Sequence, residues 1–252
     1  MTLKRKKIWI AKQDTEYWKG MAMDQIAIGF RDAVELLMTG DKELYGIVGL
    51  SLMVSLSSVA ISTLIGVPFG AVIGTHNFPM KNALLRIIYT FMSLPPVIAG
   101  LVVFLLIMRR GPFGSWGLTY TPAAMIIAQV CLVVPIITGL TYNIVRDKAP
   151  RVKALAVTLG AGKIDSLKLL IFDLRIGILA AIVTGLGRAL SEVGAVMIVG
   201  GNIKGKTRVM TTYIAQLKSM GDYSTAIAVG IVLLILAFLI NTFLYNVQQK
   251  VE

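Results

Sequence analysis

The sequence predicts an all-α membrane protein, a bundle of five spanning helices, and three observations predict it. Hydrophobic residues make up 56% of the 252-residue chain, above the roughly 45–50% of ordinary soluble domains. They gather in stretches of about 20 residues, the length a helix needs to cross a hydrocarbon core about 30 Å thick. The segments between these stretches are basic, and the formal net charge is +12. In so apolar a chain, such charge belongs in loops that set orientation and meet membrane lipid, not in a nucleic-acid surface.

The five predicted spans are residues 47–73, 87–108, 122–142, 176–200 and 224–247. The first carries Gly66, Gly70 and Gly74 at intervals of four, a ladder that lets a neighbouring helix approach closely, within the bundle or in a dimer. The second contains Ser93-Leu94-Pro95-Pro96. Two consecutive prolines remove two backbone donors and must break or kink the helix. A broken helix at membrane depth survives only where it faces protein or a watery cavity, which favours a transport path over a passive anchor. The fourth span is interrupted by Arg188 and Glu192, and the fifth is an unbroken apolar run.

Ahead of the spans, Phe30, Ala33, Val34, Leu37 and Met38 recur at helical spacing and predict a short helix lying at the interface. The chain therefore divides into an N-terminal extension with an interfacial helix (residues 1–45) and a transmembrane domain (46–250). Within that domain, 143–175 is a basic loop carrying Arg146, Lys148, Arg151, Lys153, Lys163, Lys168 and Arg175. Residues 152–159 inside it are small and moderately apolar and run into Gly160-Ala161-Gly162, which predicts a two-turn helix stopping on glycine.

Several chemistries are excluded. Cys131 and His76 are single, so no intrachain disulfide, cysteine metal site or histidine-based triad exists, and His76 reads as a solvated turn residue. Residues 200–207 satisfy the spacing G-x-x-x-x-G-K-T of a phosphate loop. That motif needs a strand before it and a soluble α/β domain around it, so a glycine-rich turn is the better reading. Its Lys204, Lys206 and neighbouring Arg208 suit attraction of an anion. Arg188 and Glu192 are four apart and can pair along a helix. With Ser191 they stand either beside a translocation path or as a self-neutralising packing pair at a subunit contact.

The segment Lys153 to Ala161 resembles the cytoplasmic signature of ABC importer permeases, a Glu-Ala-Ala followed a few residues on by glycine. Ala154 stands where that family has the glutamate, Leu155 replaces the first alanine, and Ala156 and Gly160 match. Residues 187–195, then 199–203 with Gly201 and Asn202, Thr207-Arg208 and Thr211-Thr212, look like the permeases of tungstate, molybdate and sulfate importers. Residues 109–114, with Thr121-Pro122-Ala123-Ala124-Met125 and Gln129, look more like the tungstate branch. The resemblance implies a five-span bundle of the ABC importer permease type, working as a homodimer with the path along its axis. Arg151, Ala154, Leu155, Ala156, Leu159, Gly160 and Ala161 would dock a separate ABC ATPase subunit. Ser93, Pro95, Pro96, Arg188, Ser191 and Glu192 would border the path, with Gly201 and Asn202 in an outer loop. An extracytoplasmic oxyanion-binding protein would deliver the anion, and this chain would hold no cofactor, metal or catalytic residue. A secondary carrier would need more intramembrane ionisable residues and inverted repeats. A non-transporting scaffold gives no reason for the Pro-Pro break.

Docking of an ATPase places 143–175 in the cytoplasm and the N-terminus outside. Lys and Arg then number 10 inside against 14 outside, contrary to the positive-inside tendency. Six of the outer ones lie in residues 1–20, read here as a dispensable extension or a misassigned start, with Met21 or Met23 as the true one; without them the balance is 10 to 8.

Overall fold

The computed structural model describes residues 24–35, 38, 41–158 and 160–251, so the expectation for residues 1–20 lies outside it. The described residues form helices joined by short turns. Helix α1 covers residues 24–35. It packs through its small residues: Ala33 is buried, and a Cβ on Gly29 would lie 2.7 Å from Ile227. Phe30, Val34 and Met38, three members of the predicted apolar face, are exposed.

Helix α2 (Lys42–Thr75) starts where the Asp41 carboxylate accepts the Glu43 N–H at 2.9 Å. At 34 residues it is about 51 Å long, more than the hydrocarbon thickness, so it tilts or projects. Its glycine ladder docks on α5 (Pro122–Thr158). A Cβ on Gly70 would lie 2.6 Å from the Thr138 carbonyl oxygen, and one on Gly74 would lie 2.5 Å from Val145. The ladder is thus an intramolecular seam, closed by Val59, Val67 and Ala71 against Val133, Ile137 and Val145.

The second predicted span is two helices, α3 (Lys81–Met92) and α4 (Pro96–Ile107), inclined at 100°. A 3-10 turn (Gly114–Trp116) leads to α5. Helix α5 does not stop at residue 142. It runs unbroken for 37 residues, through Pro135 and Pro150, so the predicted two-turn helix is its last two turns, ending ahead of Gly160 at φ +69°. The rest of the basic loop is α6 (Lys163–Asp173).

The fourth predicted span is also discontinuous: α7 (Arg175–Leu190), a break at residues 191–193, then α8 (Gly194–Gly200). Helices α9 (Met210–Met220) and α10 (Tyr223–Val251) complete the chain. Among the described residues α2, α5 and α10 are each long and apolar enough to cross a membrane, and counting the bent pairs α3–α4 and α6–α7 as one span each gives up to five. The outward face of α10, with Leu234, Phe238 and Phe243 exposed, suits lipid.

Candidate translocation path and coupling surface

The two breaks meet. Ser93 ends α3, Pro95 is extended at φ −60° and ψ 129°, and Pro96 opens α4 where its missing N–H costs nothing. The start of α8 lies directly against the start of α4. A Cβ on Gly100 would sit 2.6 Å from Ala195 Cα, and one on Gly194 would sit 3.0 Å from Val97. Only hydrogen fits at Gly100, so the two backbones touch where both spans are interrupted.

Glu192 makes the second break. Its side chain is 2% exposed, and each carboxylate oxygen has a partner: Arg188 Nη1 donates to Oε2 at 2.8 Å and the Ala195 N–H donates to Oε1 at 2.9 Å. Its carbonyl oxygen accepts the Thr211 hydroxyl at 2.8 Å. The charge is therefore neutralised and hydrogen-bonded, the condition under which burial of a carboxylate is tolerated. Arg188, at 31% exposed, together with exposed Ser191, Ser93 and Pro95, faces outward from the bundle. The structure thus brings Pro96 and Glu192 together through Val97 and Gly194, with Glu192 enclosed and Arg188 at the surface.

A polar seam continues inward that the spacing alone did not single out. Ser51, Ser55, Ser58 and Ser62 line one buried stripe of α2. Ser58 donates to Gln129 Oε1 at 2.8 Å, and Gln129 Nε2 donates at 3.1 Å to the Ala189 carbonyl just before the α7 break. Ser51 accepts the Met210 N–H that opens α9 at 2.9 Å. Between Ser51, Ser55, Gln129, Glu192 and Thr211 lies a cavity of ≈ 10 Å³, room for about one water. The signal was present as serines at i, i+4, i+7 and i+11, but such serines also satisfy themselves along their own helix, as Ser51 does on Ile47.

At the opposite end, Arg151, Ala154 and Leu155 form an exposed face on the last turns of α5, while Val152 packs with Leu170 and Leu174. Gly160 turns the chain in open space and Ala161 is half-buried. Leu159 and the Ala156 side chain lie outside the described residues. Exposed Ile164 and Phe172 on α6 extend this surface. His76 caps α2 in the same region, its ring nitrogen 2.9 Å from the Thr75 hydroxyl.

The glycine-rich turn is a rigid knot. Gly201 has φ +70° and lies against Tyr120, where a Cβ would come within 2.7 Å. Asn202 donates to Gln216 and accepts from Thr212, both at 2.9 Å. The Thr207 hydroxyl donates to the Gly200 carbonyl and accepts the Ile203 N–H, so the residue a phosphate loop offers to a nucleotide-bound cation is consumed internally. Among the described residues, no cluster of three His, Cys, Asp or Glu could hold a metal ion.

Residues 66–252 match the family described as the binding-protein-dependent transport system inner membrane component. Over 228 residues the chain is 48% identical to the tungstate uptake system permease protein TupB of Peptoclostridium acidaminophilum, covering 90% of this chain and 100% of that one. It is 32% identical over 231 residues to TupB of Campylobacter jejuni, covering 92% and 97%. A chain of the MetNI methionine ABC transporter superposes with a TM-score of 0.66 at 20% identity, over 83% of this chain and 96% of that one, which shows a shared fold. The touching broken spans and the exposed end of α5 thus stand in a multi-pass membrane protein that belongs to the family of inner-membrane components of binding-protein-dependent, ATP-driven transport systems.

Proposed function

We propose that this permease moves tungstate into the cytoplasm as one of two identical subunits. The family supplies the partners in outline: a separate ATPase and a substrate-binding protein outside the membrane, with this chain translocating and not hydrolysing ATP. The observation that carries the dimer is the size of the interior cavity beside the breaks. At ≈ 10 Å³ it is far too small for a tetrahedral oxyanion, while Ser93, Pro95, Arg188 and Ser191 lie on the outside of the bundle. A path bordered by those residues needs a second wall, and a second copy of the same face provides one by two-fold symmetry.

The exposed face of Arg151, Ala154 and Leu155, with Gly160 and Ala161 behind it, suits the ATPase contact, and the direct continuation of α5 into it gives a rigid lever from the membrane. Tungstate is favoured over other oxyanions by the high identity to a tungstate permease along nearly the whole chain. Deleting the chain and measuring cellular tungsten and molybdenum by elemental mass spectrometry, at nanomolar external oxyanion, tests the substrate. Loss of tungsten alone is expected. Loss of both metals makes it a shared oxyanion importer, and loss of neither overturns the reading.

A further inference from the structure

A cationic pocket at the end of the bundle opposite the coupling surface has no role in the path just described. Lys204, Lys206 and Arg208 from the α8–α9 turn, and Lys42 and Glu43 from the first turn of α2, line a cavity of ≈ 640 Å³ with apolar residues of α2. Glu43 divides its carboxylate between two of the cations: Lys204 Nζ lies 2.6 Å from one oxygen and Arg208 Nη1 3.5 Å from the other. Lys42 and Lys206 make no ion pair among the described residues. Asp41, next in sequence, caps α2 and does not line the cavity.

Two features mark this as more than a solvated basic surface. The Arg208 side chain is only 12% exposed, lies 5.2 Å from the Tyr213 ring centroid, and has a buried Nε with no hydrogen-bond partner. The guanidinium is thus held in place beside the cavity, and the one carboxylate that pairs with it, Glu43, stands at 3.5 Å, long for a charge-assisted bond. Secondly, the turn is preorganised: the N–H groups of Lys206, Thr207 and Arg208 all converge on the Ile203 carbonyl, and Gly205 holds φ +72°.

We propose that this pocket is a dianion-binding site at the outer mouth, accepting a tetrahedral oxyanion, with Glu43 as the internal counter-ion that the incoming dianion displaces. A tetrahedral dianion offers four acceptor oxygens and twice the charge of the carboxylate. It can meet Arg208 Nη1 and the lysines together, where Glu43 meets two groups. Glu43, at 36% side-chain exposure, is released toward water. Lysines act as point charges and select poorly among oxyanions, so the site concentrates and stages its anion while selection is left elsewhere. The proposal rests on the permease reading above for its sidedness and its oxyanion.

The test uses the full-length chain with its ATPase in phosphatidylcholine nanodiscs, without the binding protein. Equilibrium dialysis against tungstate, and separately against sulfate, is read by elemental mass spectrometry at low salt. Glu43→Gln is expected to tighten binding of both anions about fivefold, and Lys204→Gln with Lys206→Gln to weaken it about tenfold. Both effects shrink as salt rises. The lysines are exposed, so this variant keeps its fold, and equal melting temperatures check that. Absence of dianion binding, or binding unchanged by either variant, overturns the site. If the variants respond but deletion leaves tungsten uptake intact, the tungstate reading falls and the site stands. If uptake is lost on deletion but no binding appears, the site alone falls.

Discussion

Glu192 shows what a single residue does here. A glutamate in an apolar run reads from sequence as either a path residue or a packing group, and spacing cannot separate the two. Its carboxylate takes both Arg188 and the Ala195 N–H, so it substitutes for the backbone bonds lost at the break and defines where α8 begins. Glu192→Leu strands a guanidinium and an amide together and is expected to cost about 3 kcal/mol of stability, seen as a lower melting temperature in detergent. Arg188→Leu combined with Glu192→Leu should recover part of that loss, because the stranded charge is gone. A Glu192→Leu protein that melts normally but transports nothing would instead make the carboxylate a direct participant in the path. The break itself was not legible, since no proline or glycine pair marks it; the bonds of one carboxylate to its neighbours at i−4 and i+3 do.

At the scale of elements, the small residues carry the architecture, and they were legible where they form a pattern. The Gly66, Gly70, Gly74 ladder announced a close helix pair, and α2 against α5 is that pair. In lipid such contact depends on packing, because the surrounding chains are as apolar as the helix. Gly70→Ala forces a Cβ to within 2.6 Å of the Thr138 carbonyl and is expected to destabilise by about 1–3 kcal/mol. Gly46→Ala, with nothing within 4 Å of its Cβ on the same helix, should be neutral or stabilising. Thermal melting of the two variants side by side separates the seam from general glycine effects, and equal losses would contradict it. The length of α5 was illegible for a different reason. The basic run beyond residue 142, with Pro150, reads locally as a loop. Burial of Val145, Ala149 and Val152 against Leu170, Leu174 and Ile178 keeps it helical, and exposed Pro150 gives up one backbone bond within that helix.

For the whole molecule, the unsettled tally of basic residues becomes a prediction about orientation. Counting every Lys and Arg except Arg188, which lies within a span, puts 14 outside and 10 inside when the coupling surface is cytoplasmic. Positive-inside weight, however, is carried by residues within about 15–20 positions of a span. Lys4, Arg5, Lys6, Lys7, Lys12 and Lys19 precede α2, which begins at Lys42, by more than that. Leaving them out gives 10 inside against 8 outside, so the charge rule and the docking requirement agree without any change to the chain's start. The structure adds that the two ends are distinct. Glu43 pairs with Lys204 at one, where Gly201 also meets Tyr120, while Lys81 and Arg146 gather over Tyr142 toward the other. After Cys131→Ser removes the native thiol, Trp116→Cys and Ile164→Cys, both at exposed positions, report opposite faces. A membrane-impermeant maleimide is expected to label position 116 in intact spheroplasts and position 164 only in inverted vesicles. Removing residues 1–20 should leave both patterns unchanged, because those charges are too far from α2 to hold it. The reverse pattern would put the α5–α6 surface outside, and with it would fall the ATPase contact, the path and the dianion pocket together.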